Sequence, residues 1–465
     1  MLFNSLQFVL FFIIVTILFY LSAHKFRWLI LLVSSCYFYM AFVPVYLLIL
    51  GFTILVDYFA GIYIEKSAGN NRKALLILSL FINIGILAFF KYYNFLSESI
   101  NSVLSFWKPV DPPSYLTILL PIGLSFHTFQ AMSYTIEVYR GNQPAERRFG
   151  IYALYVLFFP QLVAGPIERP QQLLPQLKSK HVFNAAGVSS GLHQMLIGFV
   201  KKLVIADRLA ISVDNIYNHS ADQSGSSLAL GTVFFAFQIY CDFSGYTDIA
   251  IGSAKVLGFD LMKNFKRPYL ATSLSEFWQR WHISLSTWFR DYVYFPLGGN
   301  RVAKGRIYFN LLIVFLISGL WHGAKWTFVI WGVMNGLMLV IETMFKVSSK
   351  SANWLTTVFK TGFTFILICF TWIFFRADTV GEALYILKKI ITLESAVVNS
   401  NDHYYYAFLA MGFLLFFEII NEFKPGWYKN LPNTFVTRCT YYVVLVVVIL
   451  QFGILNGGQF IYFQF

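Results

Sequence analysis

Residues 29–64 read LILLVSSCYFYMAFVPVYLLILGFTILVDYFAGIYI, and the polar stretch from Glu65 to Lys73 follows them. The run is apolar for about two membrane crossings, since the hydrocarbon layer of ~30 Å takes ~20 helical residues to span. Pro44 divides it near the middle, because a proline removes a backbone donor and collides with the preceding turn. The reading is a helical hairpin in a membrane, with one carboxylate, Asp57, inside its second arm.

Comparable runs occur near residues 6–21, 75–96, 116–138, 151–163, 191–216, 228–257, 309–320, 327–344, 354–375, 404–420 and 441–455. The first has no Lys or Arg before it and no small-residue cleavage site after it, so it reads as a retained helix. Apolar residues make up 57% of the 465 residues and charged residues 12%. That is about half the charged share of a soluble domain, too few to cover a water-soluble fold. The expectation is an all-α polytopic membrane protein of about ten to twelve transmembrane or re-entrant helices. Without linkers, low-complexity tracts or visible repeats, residues 1–465 read as one membrane domain.

The net charge of +13 would suggest nucleic acid in a soluble protein. Here Lys and Arg gather in short connections, at 24–27, 66–73, 140–148 and 178–180, as loops held on the cytoplasmic side do. No nucleic-acid partner is expected. The first three agree on one orientation, with Lys25, Lys66 and Arg147 inside. The fourth agrees only if the segment around 160–166 does not cross fully. Cys36, Cys241, Cys369 and Cys439 stand singly, without metal-type spacing, and read as packing residues; no metal site is expected.

Ionisable residues concentrate between about 238 and 342, where charge at membrane depth must line a cavity or find a partner. Residues 275–300, SEFWQRWHISLSTWFRDYVYFPLGGN, are too polar to span unaided. At ~100° per residue, Phe277, Trp278, Trp281, Leu285, Trp288, Phe289 and Tyr292 form an apolar stripe, with Gln279, His282, Ser286 and Arg290 beside it. This predicts a continuous amphipathic helix that either lies at the interface or turns His282 and Arg290 toward a wet interior. Further on, SGLWHGAKW places His322 between two apolar runs, with Gly319 and Gly323 allowing close approach. A lone histidine at such a place is a structural group or a general base.

Asp242, Ser244, Tyr246 and Asp248 form a polar cluster in an apolar helix. It reads as a cavity wall or as ion pairs with Arg280, Arg290 or Arg301. His127 and Gln130 read as helix-packing hydrogen bonds, and residues 164–169 as the turn of a broken helix. Gly187-Val-Ser-Ser-Gly191 matches a nucleophile-elbow pattern, but no strand precedes it and it reads as a helix start.

Together, FWQRWHISLSTWFRDYVYFPLGGNR (277–301) and LWHGAKWTFVIWGVMNG (320–336) strongly resemble the membrane-bound O-acyltransferase family. Within it they resemble the bacterial alginate O-acetylation branch, and so do FFPQLVAGPIERP (158–170), PIGLSFHTFQAMSYTIEVYRG (121–141), QIYCDFSGYTDIAIG (238–252) and the closing FIYFQF. The resemblance implies a ring of helices around a central tunnel, in which a cytosolic acyl donor meets an acceptor arriving from the other face. It implies His322 as catalytic base and His282 as the second family position, stabilising an oxyanion or positioning the donor. It also implies an acyl thioester donor such as acetyl-CoA, with no permanently bound cofactor. Arg280, Arg290, Lys266 and Arg267 are the candidate donor contacts, and Lys263 and Arg301 join Lys266 and Arg267 as rim cations for coenzyme A phosphates or as topology anchors.

The implied activity is O-acetylation of an extracytoplasmic polysaccharide, alginate-like or peptidoglycan, from the bacterial inner membrane, often with a separate extracytoplasmic acetyltransferase as partner. D-alanyl transfer to teichoic acid is the alternative within the family. Outside it, a non-enzymatic acyl-group transporter would share the broken helices and mid-membrane polar residues.

Overall fold

The computed structural model describes residues 1–107, 115–116, 121, 123–163, 165–347, 353–395, 403–424, 435–455 and 460–461. Ala164 of the expected turn and the last four residues of the closing motif lie outside the described residues. Among those described there is no strand. Among the described residues seven helices are long and apolar enough to cross a membrane: Tyr46–Lys66, Gly69–Leu104, Gly225–Val256, Lys304–His322, Trp326–Met344, Trp354–Arg376 and Tyr404–Phe423. Leu6–Leu21 and Cys439–Phe452 are apolar but shorter. The chain is an all-α, multi-pass membrane protein. It divides into two compact units, residues 1–194 with 250–262, and residues 195–249 with 263–465.

In the first unit the hairpin of residues 29–64 is present. Its arms are His24–Met40 and Tyr46–Lys66, separated by a turn at Ala41–Val45 that contains Pro44. Asp57, buried in the second arm, accepts hydrogen bonds from Ser79 Oγ at 2.6 Å and from Asn83 Nδ2 at 2.9 Å to Oδ2, both on Gly69–Leu104. A carboxyl at this depth is held by hydrogen bonds from the neighbouring helix. The expected packing bonds are also made: His127 Nε2 lies 2.6 Å from Thr53 Oγ1, and Gln130 Nε2 donates to the Tyr155 carbonyl at 2.6 Å.

The segment at 149–178 is broken into Phe149–Leu157, Phe159–Leu162 and Pro170–Lys178. Its nine-residue first piece rises only about 14 Å, under half of the hydrocarbon layer, so it does not cross. The four basic connections accordingly meet. Arg147 pairs with Glu65, Lys178 pairs with Glu146, and Arg27 donates to the His181 carbonyl. The fourth basic loop therefore shares a side with the other three. Gly187 and Gly191 lie within the helix Ala185–Phe199, as read from the sequence. A Cβ on Gly191 would stand 2.7 Å from the Gly252 carbonyl, so this glycine serves a close helix contact.

In the second unit, Lys304–His322 and Trp326–Met344 form a tight hairpin closed by two glycines. A Cβ on Gly319 would meet the Phe328 carbonyl oxygen at 2.3 Å, and one on Gly332 would meet that of Phe315 at 2.4 Å. Small residues let helix backbones approach this closely in a membrane. The close approach fixes the C-terminal end of the first helix, whose last residue is His322.

Candidate functional site: two histidines and an indole

The segment 275–300 is not one continuous helix. Leu274–Arg280 ends at Trp281, His282 takes a left-handed conformation (φ 43°, ψ 55°), and the chain resumes as Ile283–Phe289 followed by a π-helical turn at Arg290–Tyr294. Positive φ costs an L-residue with a side chain about 1–2 kcal/mol, and tertiary bonds hold it here. The Asn264 carbonyl accepts from Ile283 N–H at 2.9 Å. Its side-chain Oδ1 accepts from Ser284 N–H at 3.1 Å and from Ser284 Oγ–H at 2.9 Å. Glu342, on Trp326–Met344, caps the start of Leu274–Arg280 by accepting from the N–H groups of Leu274 and Ser275 at 2.7 and 3.0 Å.

This geometry sets the tautomer of His282. Its Nδ1 lies 3.1 Å from the same Asn264 Oδ1. That oxygen is identified by the Ser284 N–H aimed at it and carries no proton, so Nδ1–H donates and Nε2 holds the lone pair. The imidazole is 1% exposed, and burial pushes its pKa down to about 3, so it is neutral. It does not face a wet interior: it packs edge-on against Phe243 at 4.7 Å and against Trp321 at 6.1 Å.

His322 is 5% exposed and lies against its neighbour Trp321 at 5.0 Å, Trp331 at 5.1 Å and Phe375 at 5.4 Å. The Trp321 indole thus contacts both imidazoles. The aromatic stripe continues the cluster. Trp281 packs on Trp372 at 5.2 Å, Trp372 stacks on Trp331 at 5.9 Å, and the Trp372 indole N–H donates to Tyr269 Oη at 3.2 Å. Such ring pairs contribute about 0.5–1.5 kcal/mol each beyond burial. The stripe read from the sequence is therefore protein-packed, with Phe277, Trp281, Leu285, Trp288 and Phe289 all buried.

Residues 149–377 match the MBOAT, membrane-bound O-acyltransferase family. The chain is 39% identical to the probable alginate O-acetylase AlgI of Pseudomonas putida over 79% of its own length and 75% of that protein. The chain belongs to the membrane-bound O-acyltransferase family. It is also 36% identical to the peptidoglycan O-acetyltransferase of Helicobacter pylori, over 79% of this chain and 73% of that one. It is 30% identical to the teichoic acid D-alanyltransferase of Bacillus subtilis, over 57% of this chain and 71% of that one.

In this membrane-bound O-acyltransferase the other expected residues are distributed differently. Asp242 and Asp248 do form ion pairs, but their partners are lysines, not Arg280, Arg290 or Arg301. Lys202 Nζ lies 2.7 Å from Asp242 Oδ1 and 2.8 Å from Asp207 Oδ1, and Lys201 Nζ lies 2.8 Å from Asp248 Oδ2. The π-helical turn Val200–Ala206 delivers both lysines, and Gly198 and Gly245 let it approach: a Cβ on Gly245 would meet the Gly198 carbonyl at 2.9 Å. Asp242 Oδ2 also accepts from Ile461 N–H at 2.8 Å, which ties the chain's last described residues to this helix.

Of the four candidate donor contacts, Arg280 and Arg267 share Glu422, and Arg280 also bonds Glu276 at 2.6 Å. Burial pushes the Glu276 carboxyl up, but the Thr272 backbone and hydroxyl donors and Arg280 outweigh it and hold the group below the usual range. Arg290 is exposed beside Asp291, and Lys266 is exposed. Lys266, Arg267 and Arg280 lie together: the Arg280 backbone carbonyl accepts from Lys266 N–H at 2.9 Å, and the Arg280 guanidinium donates to the Arg267 carbonyl at 3.4 Å. Sequence reasoning missed Asn264, which lies in a non-periodic connection. It also gave no separate role to Trp321, although that residue stood inside the quoted motif.

Proposed function

We propose that this acyltransferase moves an acetyl group from a cytoplasmic thioester, acetyl-CoA, to a hydroxyl on the way to O-acetylation of an extracytoplasmic polysaccharide in a bacterial inner membrane. His322 takes the proton from the acceptor hydroxyl as its oxygen attacks the thioester carbonyl. The carbon–sulfur bond breaks, and the proton passes to the departing thiolate. His282 has a task different from both expected ones, stabilising an oxyanion or positioning the donor. Its N–H is committed to Asn264, so a neutral His282 offers the lone pair of Nε2 and acts as a hydrogen-bond acceptor that orients the hydroxyl.

The single observation that carries this reading is the pair of buried imidazoles against one indole. A ring cluster of this kind excludes water, which protects a thioester from hydrolysis and strengthens local hydrogen bonds. Exposed Lys263, Lys266 and Arg301 are the rim cations that meet the donor's phosphates, whereas Arg280 and Arg267 serve their carboxylates and Arg290 pairs with Asp291. The glycan is reached through a separate extracytoplasmic acetyltransferase, because the elbow-like motif at 187–191 is helical and presents no strained serine.

The test is reconstitution of the full chain in vesicles with labelled acetyl-CoA or a labelled D-alanyl thioester outside and a hydroxyl acceptor inside. Label from acetyl-CoA in the acceptor, lost in His322→Ala, is the expected result. Label from the D-alanyl donor alone would assign the alternative branch, and label crossing unesterified would refute acyl transfer to the acceptor.

A further inference from the structure

The first unit contains a cavity of about 230 Å³ to which the proposed chemistry assigns nothing. Lys25, Arg27, Arg148 and Lys178 line it, with Trp28 and Phe259 among its apolar walls. Its carboxylate complement is small. Glu146 is buried and pairs with Lys178 and, at 3.9 Å, with Arg148. Among the described residues neither Lys25 nor Arg27 has a carboxylate partner. Arg27 is nonetheless held in place: its guanidinium sits 4.9 Å over the Phe19 ring and donates to the backbone carbonyls of Ser22, at 3.1 Å, and of His181. A planar cation fixed by carbonyl groups keeps its full charge and a preset orientation, the arrangement that suits a phosphate.

Two further features increase the excess of positive potential. Lys25 and Arg27 lie in the first turn of His24–Met40, whose N-terminus has no side-chain cap and no acidic residue. Cations at the positive end of a helix are unfavourable until an anion joins them. Three of the four basic connections, at 24–27, 140–148 and 178–180, contribute to the cavity, which lies at one end of helices whose neighbouring residues Leu18, Leu21 and Leu29 are exposed apolar side chains. That is the level at which membrane headgroups sit.

We propose that this cavity binds a phosphate ester, with Arg27 and Lys25 as its principal ligands and Trp28 and Phe259 against the group the phosphate is attached to. The position favours an anionic phospholipid headgroup as its source, and a soluble organic phosphate offers the same chemistry. The site is independent of the histidine pair, so it stands or falls separately from the acyl-transfer mechanism.

Native mass spectrometry of the full chain in a neutral detergent tests it. The chain is titrated with phosphatidylglycerol, with phosphatidylcholine as the zwitterionic control, and separately with glycerol 3-phosphate. One phosphatidylglycerol retained in preference to phosphatidylcholine assigns the lipid source. Retention of glycerol 3-phosphate without lipid preference assigns a soluble one. In either case Arg27→Gln should weaken binding by about tenfold and Lys25→Gln by several-fold. Arg27 also ties two loops together, so the second variant is decisive: among the described residues the Lys25 ammonium makes a ring contact with Phe26 at 5.0 Å and no ion pair, and its loss should leave the melting temperature unchanged. Equal binding of all three probes, or full affinity in Lys25→Gln and Arg27→Gln alike, overturns the proposal.

Discussion

At the scale of single residues, Asn264 and His282 carry the argument. One amide oxygen accepts from the Ser284 backbone, the Ser284 hydroxyl and His282 Nδ1, so Asn264→Ala leaves buried donors without an acceptor, at about 1–3 kcal/mol. The activity of Asn264→Ala should fall at unchanged KM for the donor. Asn264→Asp restores the acceptor but adds charge, which raises the imidazole's affinity for a proton and should move the acid limb of the pH–rate profile upward. A profile identical to wild type would show that Asn264 only packs. The backbone of His282 gives a second expectation. Glycine adopts φ 43° freely and alanine does not, so His282→Gly should melt higher than His282→Ala by the equivalent of about 1 kcal/mol, with both inactive. Periodicity found the stripe around His282 but not this kink, because nothing in a non-glycine residue signals positive φ. The signal lies in Asn264, a residue of a connection with no pattern of its own.

At the scale of elements, the hairpin of Lys304–His322 and Trp326–Met344 sets where His322 stands. A Cβ at Gly332 would sit 2.4 Å from the Phe315 carbonyl and 3.1 Å from Gly319 Cα, both of them backbone atoms. Gly332→Ala should therefore splay the hairpin, cost about 1–3 kcal/mol and reduce transfer with it. Gly362 is the internal control. It lies in Trp354–Arg376 with nothing within 4 Å of its would-be Cβ, so Gly362→Ala should be neutral or stabilise by up to about 1 kcal/mol. Thermal melts in detergent distinguish the two, and equal effects would contradict the packing account. Helix existence was legible from apolar runs because the bilayer imposes length and composition. Ion-pair partners were not. Asp242 was visible as a buried carboxylate, but its partner Lys202 arrives by a π-helical turn that a 3.6-residue period does not describe.

At the scale of the whole molecule, the basic connections and the histidine pair make separate claims. Ion pairs join the loops at 65 and 147 and at 146 and 178. Single cysteines at Lys66 and Lys178, placed in a chain whose own Cys439 is replaced, should therefore both react with an impermeant thiol reagent from the same side of a sealed vesicle. Opposite sidedness would overturn the short, non-crossing reading of 149–162. That reading rested on charge placement in the sequence, and the short helices explain why hydropathy alone counted a span there. Each histidine was visible by itself, His282 beside the aromatic stripe and His322 between two apolar runs, but their pairing was legible only through the family's motifs, since 40 residues separate them and no local period links them. Its test is a double-mutant cycle on labelled acetyl transfer in reconstituted vesicles, comparing His322→Ala, His282→Ala and the double variant with wild type. Two imidazoles serving one reaction act as a unit, so each single variant should lose at least about a hundredfold and the double little more. Multiplicative losses, or transfer that survives both substitutions, would contradict the account.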